Sequence, residues 1–206
     1  MRTVLWLSTV ALVASLAACD KKPDAVPTEA PAPSSPPVAS GAAPTTDNKV
    51  AGPPAKIDRL NFPGTEEGAR ALLGSFLKSD ADRPSMTRSL RPSTEDYQAI
   101  FDGEAVTEAR AKYEEQWSQD AYVIEIKEGQ TELQFWKATT EELRDWTGDA
   151  HQFPGGYRKV ADKLKPGLTF YRFKFVKPGD KHGMTYDGLV FVNDHWVLVS
   201  KPYRIF

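Results

Sequence analysis

Cysteine is almost missing from this chain: Cys19 is the only one among 206 residues. That excludes an internal disulfide, a Cys-x-x-Cys redox pair and a cysteine-built metal centre, so whatever folds must fold on its apolar core. Histidine is nearly as scarce, with His151, His182 and His195 alone. The glycine patterns that cradle phosphates in nucleotide-binding loops are absent. Aromatic residues are missing throughout the stretch between Trp6 and Phe62. The one long apolar run, Val4 to Ala18, is too short for a spanning helix, which needs about 20 residues.

What is present begins at the amino terminus. Arg2 supplies a positive charge ahead of that run, and Leu16-Ala17-Ala18-Cys19 closes it. A charged start, an apolar middle and small residues at the end are the parts of a secretory signal. With a cysteine directly after Leu-Ala-Ala, the segment resembles the bacterial lipoprotein signal, or lipobox. The resemblance implies that the Cys19 thiol receives diacylglycerol, that the chain is cut before it, and that Cys19 becomes the lipidated first residue of the mature protein. Residues 1–18 are then a signal peptide outside any fold argument, and no free thiol is left for nucleophilic catalysis. Each buried methylene contributes about 0.8 kcal/mol, so two or three acyl chains (palmitate or similar) give a lasting attachment to the membrane. Asp20 after the cysteine resembles the inner-membrane retention signal of enteric lipoproteins, with Lys21 beside it, so the inner and outer membranes both stay open.

Between residues 19 and 56 proline recurs among Ala, Ser, Thr and Gly: Pro23, Pro27, Pro31, Pro33, Pro36, Pro37, Pro44, Pro53 and Pro54. A segment of this composition cannot bury enough apolar surface to offset its ordering entropy, and the expectation is a disordered tether. Fully extended at roughly 3.1 Å per residue, it would hold a domain up to about 100 Å from the membrane.

Residues 57–206 make one domain of ordinary size. Thr65 is a candidate N-cap for a helix carrying Ala69, Leu72, Leu73, Phe76 and Leu77 on one face, expected to end near Ser79. Residues 80–92 read as irregular. Ser93, followed by Glu95 and Asp96, opens a second helix, and Ala105, Ala109, Tyr113 and Trp117 mark a third. The period then changes to two: residues 122–127 and 133–136 read as the arms of a hairpin. Thr139 with Glu142 is a capping-box pair for a short helix, and Tyr157, Val160, Ala161 and Leu164 mark another. Strands over 168–176, 184–192 and 195–200, joined by Lys177-Pro178-Gly179-Asp180 and Asn193-Asp194, form an antiparallel meander. The fold class expected is α+β, with N-terminal helices packed on a curved antiparallel sheet, cone-like. Its element order resembles the nuclear transport factor 2-like, or cystatin-like, fold. That resemblance rests on topology and transfers no functional residue.

Charge divides the domain. Residues 93–150 hold fifteen acids against five bases, and residues 151–206 hold four acids against ten bases. Arg172 and Lys174 share one face of a predicted strand opposite Tyr171, Phe173 and Phe175, and Lys177 follows at its end. These three are the candidate binding residues, read either as an ordinary solvated face or as a surface that attracts an anionic partner. Asp187 is the candidate catalytic carboxylate, because a polar residue inside a cone would be unusual. Strand periodicity alone leaves open whether it faces in or out. Each histidine has an acid within two residues, Asp149, Asp180 and Asp194 respectively, but turn chemistry accounts for two of these pairs. No metal and no cofactor is expected, and Trp117, Trp136 and Trp196 read first as core.

These observations give an envelope lipoprotein facing the periplasm, anchored through Cys19, with a non-catalytic domain that binds an envelope or secreted protein. The alternatives are a carrier of a small apolar or anionic ligand in the mouth of the cone and, last, a hydrolase or isomerase using Asp187. No nucleic-acid partner is expected.

Overall fold

The computed structural model describes residues 58–119 and 122–206. The signal, Cys19 and the proline-rich tether lie outside the described residues. The α+β class holds: helices and one four-stranded antiparallel sheet of order β1-β2-β3-β4. No helix among the described residues is long and apolar enough to cross a membrane.

Helix α1, Glu66–Ser75, starts where the Thr65 side chain accepts from the Gly68 N–H, and it buries Ala69, Leu72 and Leu73. It stops four residues short of the expected end. Phe76, Leu77 and Lys78 bond back three residues rather than four, a tightened exit that still buries Phe76. Residues 80–92, expected to be irregular, contain helix α2, Arg83–Ser89. Pro84 sits in the first turn, where a proline has no intrahelical N–H to lose, and Asp82 caps the end by accepting from the Ser85 N–H. Helix α3, Thr94–Ile100, opens on a reciprocal capping box between Ser93 and Asp96. Helix α4, Ala105–Trp117, buries Ala105, Ala109, Tyr113 and Trp117 as its spacing predicts.

The expected hairpin does not form. Residues 122–127 are not a strand, because their backbone groups find side-chain partners instead of a ladder. The Ile124 N–H donates to Thr87 Oγ1 at 3.0 Å, and Glu125 exchanges hydrogen bonds with the Tyr186 hydroxyl through both its N–H (2.7 Å) and its carbonyl (3.0 Å). Strand β1, Glu132–Thr139, pairs instead with β2, Thr169–Val176, across the helical connection. Within that connection α5, Thr140–Asp145, has the Thr139/Glu142 capping box, and α6, Gly156–Val160, buries Tyr157 and Val160.

Strand β3, Gly183–Val192, and β4, His195–Leu198, complete the meander. Asn193 and Asp194 both have positive φ, 48° and 62°, the backbone a two-residue hairpin of matching twist demands. Between β2 and β3 the register slips: Leu189 opposes Tyr171 while Asp187 opposes Arg172, so Gly188 is an extra residue. Its φ is +90°, and a Cβ there would stand 2.0 Å from the Val199 carbonyl oxygen. The bulge lets Asp187 and Leu189 face opposite sides of the sheet, although regular alternation would put them together.

The core is aromatic: Tyr97, Phe101, Tyr113, Tyr157, Phe170, Phe173 and Phe175 are all fully buried. Tyr97 stacks on Tyr113 at 6.0 Å between centroids, and Tyr157 meets Phe170 edge-on at 6.3 Å.

Candidate functional site

Register decides which candidate residues meet. Directly opposed residues in an antiparallel pair share a face, so Trp136, Arg172 and Asp187 form one row across β1, β2 and β3, and Gln134, Lys174 and Thr185 form the next. The Arg172 guanidinium lies 5.8 Å from the Trp136 ring centroid and the Lys174 ammonium 5.4 Å from it. Trp136 packs against the core from its rim. It is half-buried, with two cations over its ring, while Trp117 and Trp196 are buried as expected. Lys174 Nζ donates to the Lys181 carbonyl at 3.0 Å, and Arg172, Lys174 and Lys177 make no salt bridge among the described residues. Lys177 stands apart, exposed, its stem close to Gly129.

Asp187 faces inward and is 3% exposed. Its Oδ1 accepts from the Tyr157 hydroxyl at 2.8 Å and from the Lys201 backbone N–H at 3.0 Å. Burial raises its carboxyl above the ordinary aspartate value, against the pull of those two hydrogen bonds and of the Lys201 and Arg172 charges. Burial also holds the Tyr157 and Tyr113 hydroxyls well above the ordinary tyrosine value and raises Tyr122 to about 12. Tyr113 donates to the Ser200 carbonyl at 3.1 Å. Asp187 thus ties α6 to the chain leaving β4, where Lys201 sits at φ 53°. Oδ1, holding two protein donors in an aromatic shell, is placed to fix backbone.

The second buried carboxylate gave no distinct signal beyond its place in the first turn of a helix. Asp96, fully buried, accepts from the Ser93 N–H (2.7 Å), Asn193 Nδ2 (2.8 Å), His195 Nε2 (3.0 Å) and Arg59 Nη2 (3.3 Å). Burial by itself raises this carboxyl, but the hydrogen bonds from Ser93, Asn193 and His195 outweigh it and hold Asp96 below its ordinary value. The carboxylate partner of His195 is therefore Asp96, 99 residues away in sequence, and not the neighbouring Asp194. Arg59 extends the clasp by donating to the Ser89 and Arg91 carbonyls at 3.0 and 2.7 Å. His195 Nδ1 meets the Asn193 carbonyl at 2.7 Å, so both ring nitrogens are engaged within the protein. His151 and His182 are exposed, and no group of three His, Cys, Asp or Glu among the described residues is placed to hold a metal ion.

Compared with known proteins, the chain matches no family model, no curated protein and no solved structure. The site's own chemistry is a cationic patch on an aromatic floor, backed by a buried carboxylate that serves the fold.

Proposed function

We propose that this chain is a lipid-anchored lipoprotein of the bacterial envelope whose domain binds an envelope or secreted protein without catalysis. The anchor is Cys19 and the working face looks into the periplasm. The observation that carries the binding reading is the half-buried Trp136 with Arg172 and Lys174 over it, on a strand at the edge of the sheet. Aromatic and arginine side chains together, partly buried before a partner arrives, are what interface hot spots are made of. Beside them runs β1, an edge strand whose outer side receives no backbone hydrogen bond from the described residues, the feature a partner strand would use. The aromatic packing of the interior supports this reading over the ligand carrier, since Phe170, Phe173, Phe175 and Tyr157 already fill space there.

The test is capture from detergent-solubilised envelope with the full chain as bait. Lys174→Glu with Lys177→Glu is the control, because both side chains reach solvent and can change without burying charge. A protein retained by the native chain and lost from the control supports the reading. Equal retention by both, or retention of nothing, removes it.

A further inference from the structure

Arg172 is the side chain the fold leaves unfinished. Three buried side-chain polar atoms among the described residues have no hydrogen-bond partner: Tyr97 Oη, Trp117 Nε1 and Arg172 Nε. Only the last belongs to a charged group. A guanidinium carries its donors in a fixed planar fork, and leaving a charged donor buried and unsatisfied costs more than leaving a neutral one. Asp187, its opposite number in the register, would be the natural partner but is turned to Tyr157 and Lys201, and no ion pair joins it to Arg172.

From this geometry, and resting on the protein-binding reading above, we infer that Arg172 is the centre of a carboxylate-binding subsite, which takes an aspartate or glutamate side chain of the partner protein. The two Nη atoms of Arg172, which unlike its Nε are not shut away from solvent and which make no hydrogen bond among the described residues, meet the two carboxylate oxygens, Lys174 supplies the second positive charge, and the Trp136 indole is the flat wall on which the planar group lies. Asp187 behind the row selects the charge of the ligand. Placed opposite Arg172 in the register, an ionised Asp187 would oppose a dianion such as phosphate more than a single carboxylate. A partner strand added along β1 would carry alternate side chains on the Trp136 face, which brings an acidic residue to Arg172 without any rearrangement of the sheet.

The test uses the full chain, labelled with nitrogen-15, in detergent. It follows the Arg172 Nε–H and Trp136 Nε1–H resonances on adding a short peptide that alternates glutamate with threonine. Both resonances shift and saturate; Arg172→Lys, which keeps the charge but loses the fork, weakens binding about tenfold, and Lys174→Gln weakens it by about threefold. Unchanged resonances elsewhere in the two variants show that the fold is intact. A glutamine peptide that shifts Trp136 equally, variants that bind as well as the native chain, or inorganic phosphate binding more tightly than the peptide would each overturn the subsite. Saturation by the peptide with nothing captured from envelope leaves the subsite standing and removes the protein-partner reading. Capture that survives Arg172→Lys and Lys174→Gln does the reverse.

Discussion

Asp187, the carboxylate singled out from the sequence, has a structural task in the fold. Its Oδ1 joins Tyr157 of α6 to the backbone of Lys201, and its buried charge opposes folding at neutral pH. Asp187→Asn keeps an oxygen for both donors and removes the charge. It is expected to leave thermal stability at pH 7 unchanged or raised. Asp187→Ala strands the Tyr157 hydroxyl and the Lys201 N–H, and it is expected to cost about 1–3 kcal/mol for each donor left unpaired. Denaturant melts of the two variants check this. If the asparagine variant is the less stable of the pair, the charge is required by the fold and the structural account of Asp187 fails. Arg172 differs: its Nε is buried without a partner, and no hydrogen bond among the described residues holds its guanidinium.

Among the elements, Gly188 carries the most consequence. Its bulge sets which face Asp187 and Leu189 occupy, and its φ of +90° is open to glycine alone at low cost. Gly188→Ala places a Cβ 2.0 Å from the Val199 carbonyl oxygen and must break the pairing there, for an expected loss of at least about 3 kcal/mol. Urea titration measures it, and a loss below about 1 kcal/mol would show that the slip in register is not needed to hold β3 and β4. The same bulge explains why period-two reasoning left the direction of Asp187 open: alternation counts residues and cannot see an inserted one. Capping chemistry was legible at Thr65, Ser93 and Thr139 because those signals lie within three residues of each other. So was the Asn193-Asp194 hairpin, where turn and strands are contiguous. The hairpin over 122–136 failed because alternation specifies a strand without naming its partner, and the side chains of Thr87 and Tyr186 took its first arm. With β1 assigned to the wrong neighbour, the row of Trp136, Arg172 and Asp187 was hidden, though each of its members stood in plain view. Helix α2, in the stretch read as irregular, has only seven residues, too few for an apolar period to show, and its start is marked only by Asp82 and a first-turn proline.

At the scale of the molecule, two buried carboxylates shifted in opposite directions give the domain a defined response to acid. Asp96 lies below its ordinary value, so the fold favours its charged form. Its contribution is fully present above about pH 4 and is lost as pH falls through the folded value. Asp187 lies above its ordinary value, so the fold favours its neutral form, and that preference is lost as pH rises through the folded value. Acidification below about pH 4 therefore removes what Asp96 holds together, namely the start of α3, the turn between β3 and β4, and Arg59, near the start of the described residues. Asp96→Asn is expected to cost about 1.5–3 kcal/mol at pH 7, where hydrogen bonds to a charged acceptor are exchanged for neutral ones, and much less at pH 3. Asp187→Asn should show the opposite trend, with its gain visible at pH 7 and absent at pH 3. Thermal unfolding of the native chain and both variants between pH 3 and pH 7 measures the difference. Parallel curves for native and Asp96→Asn protein would mean that the carboxylate is not what joins the first strand of backbone to the last hairpin, and the domain's acid sensitivity would have to come from its exposed acidic half instead.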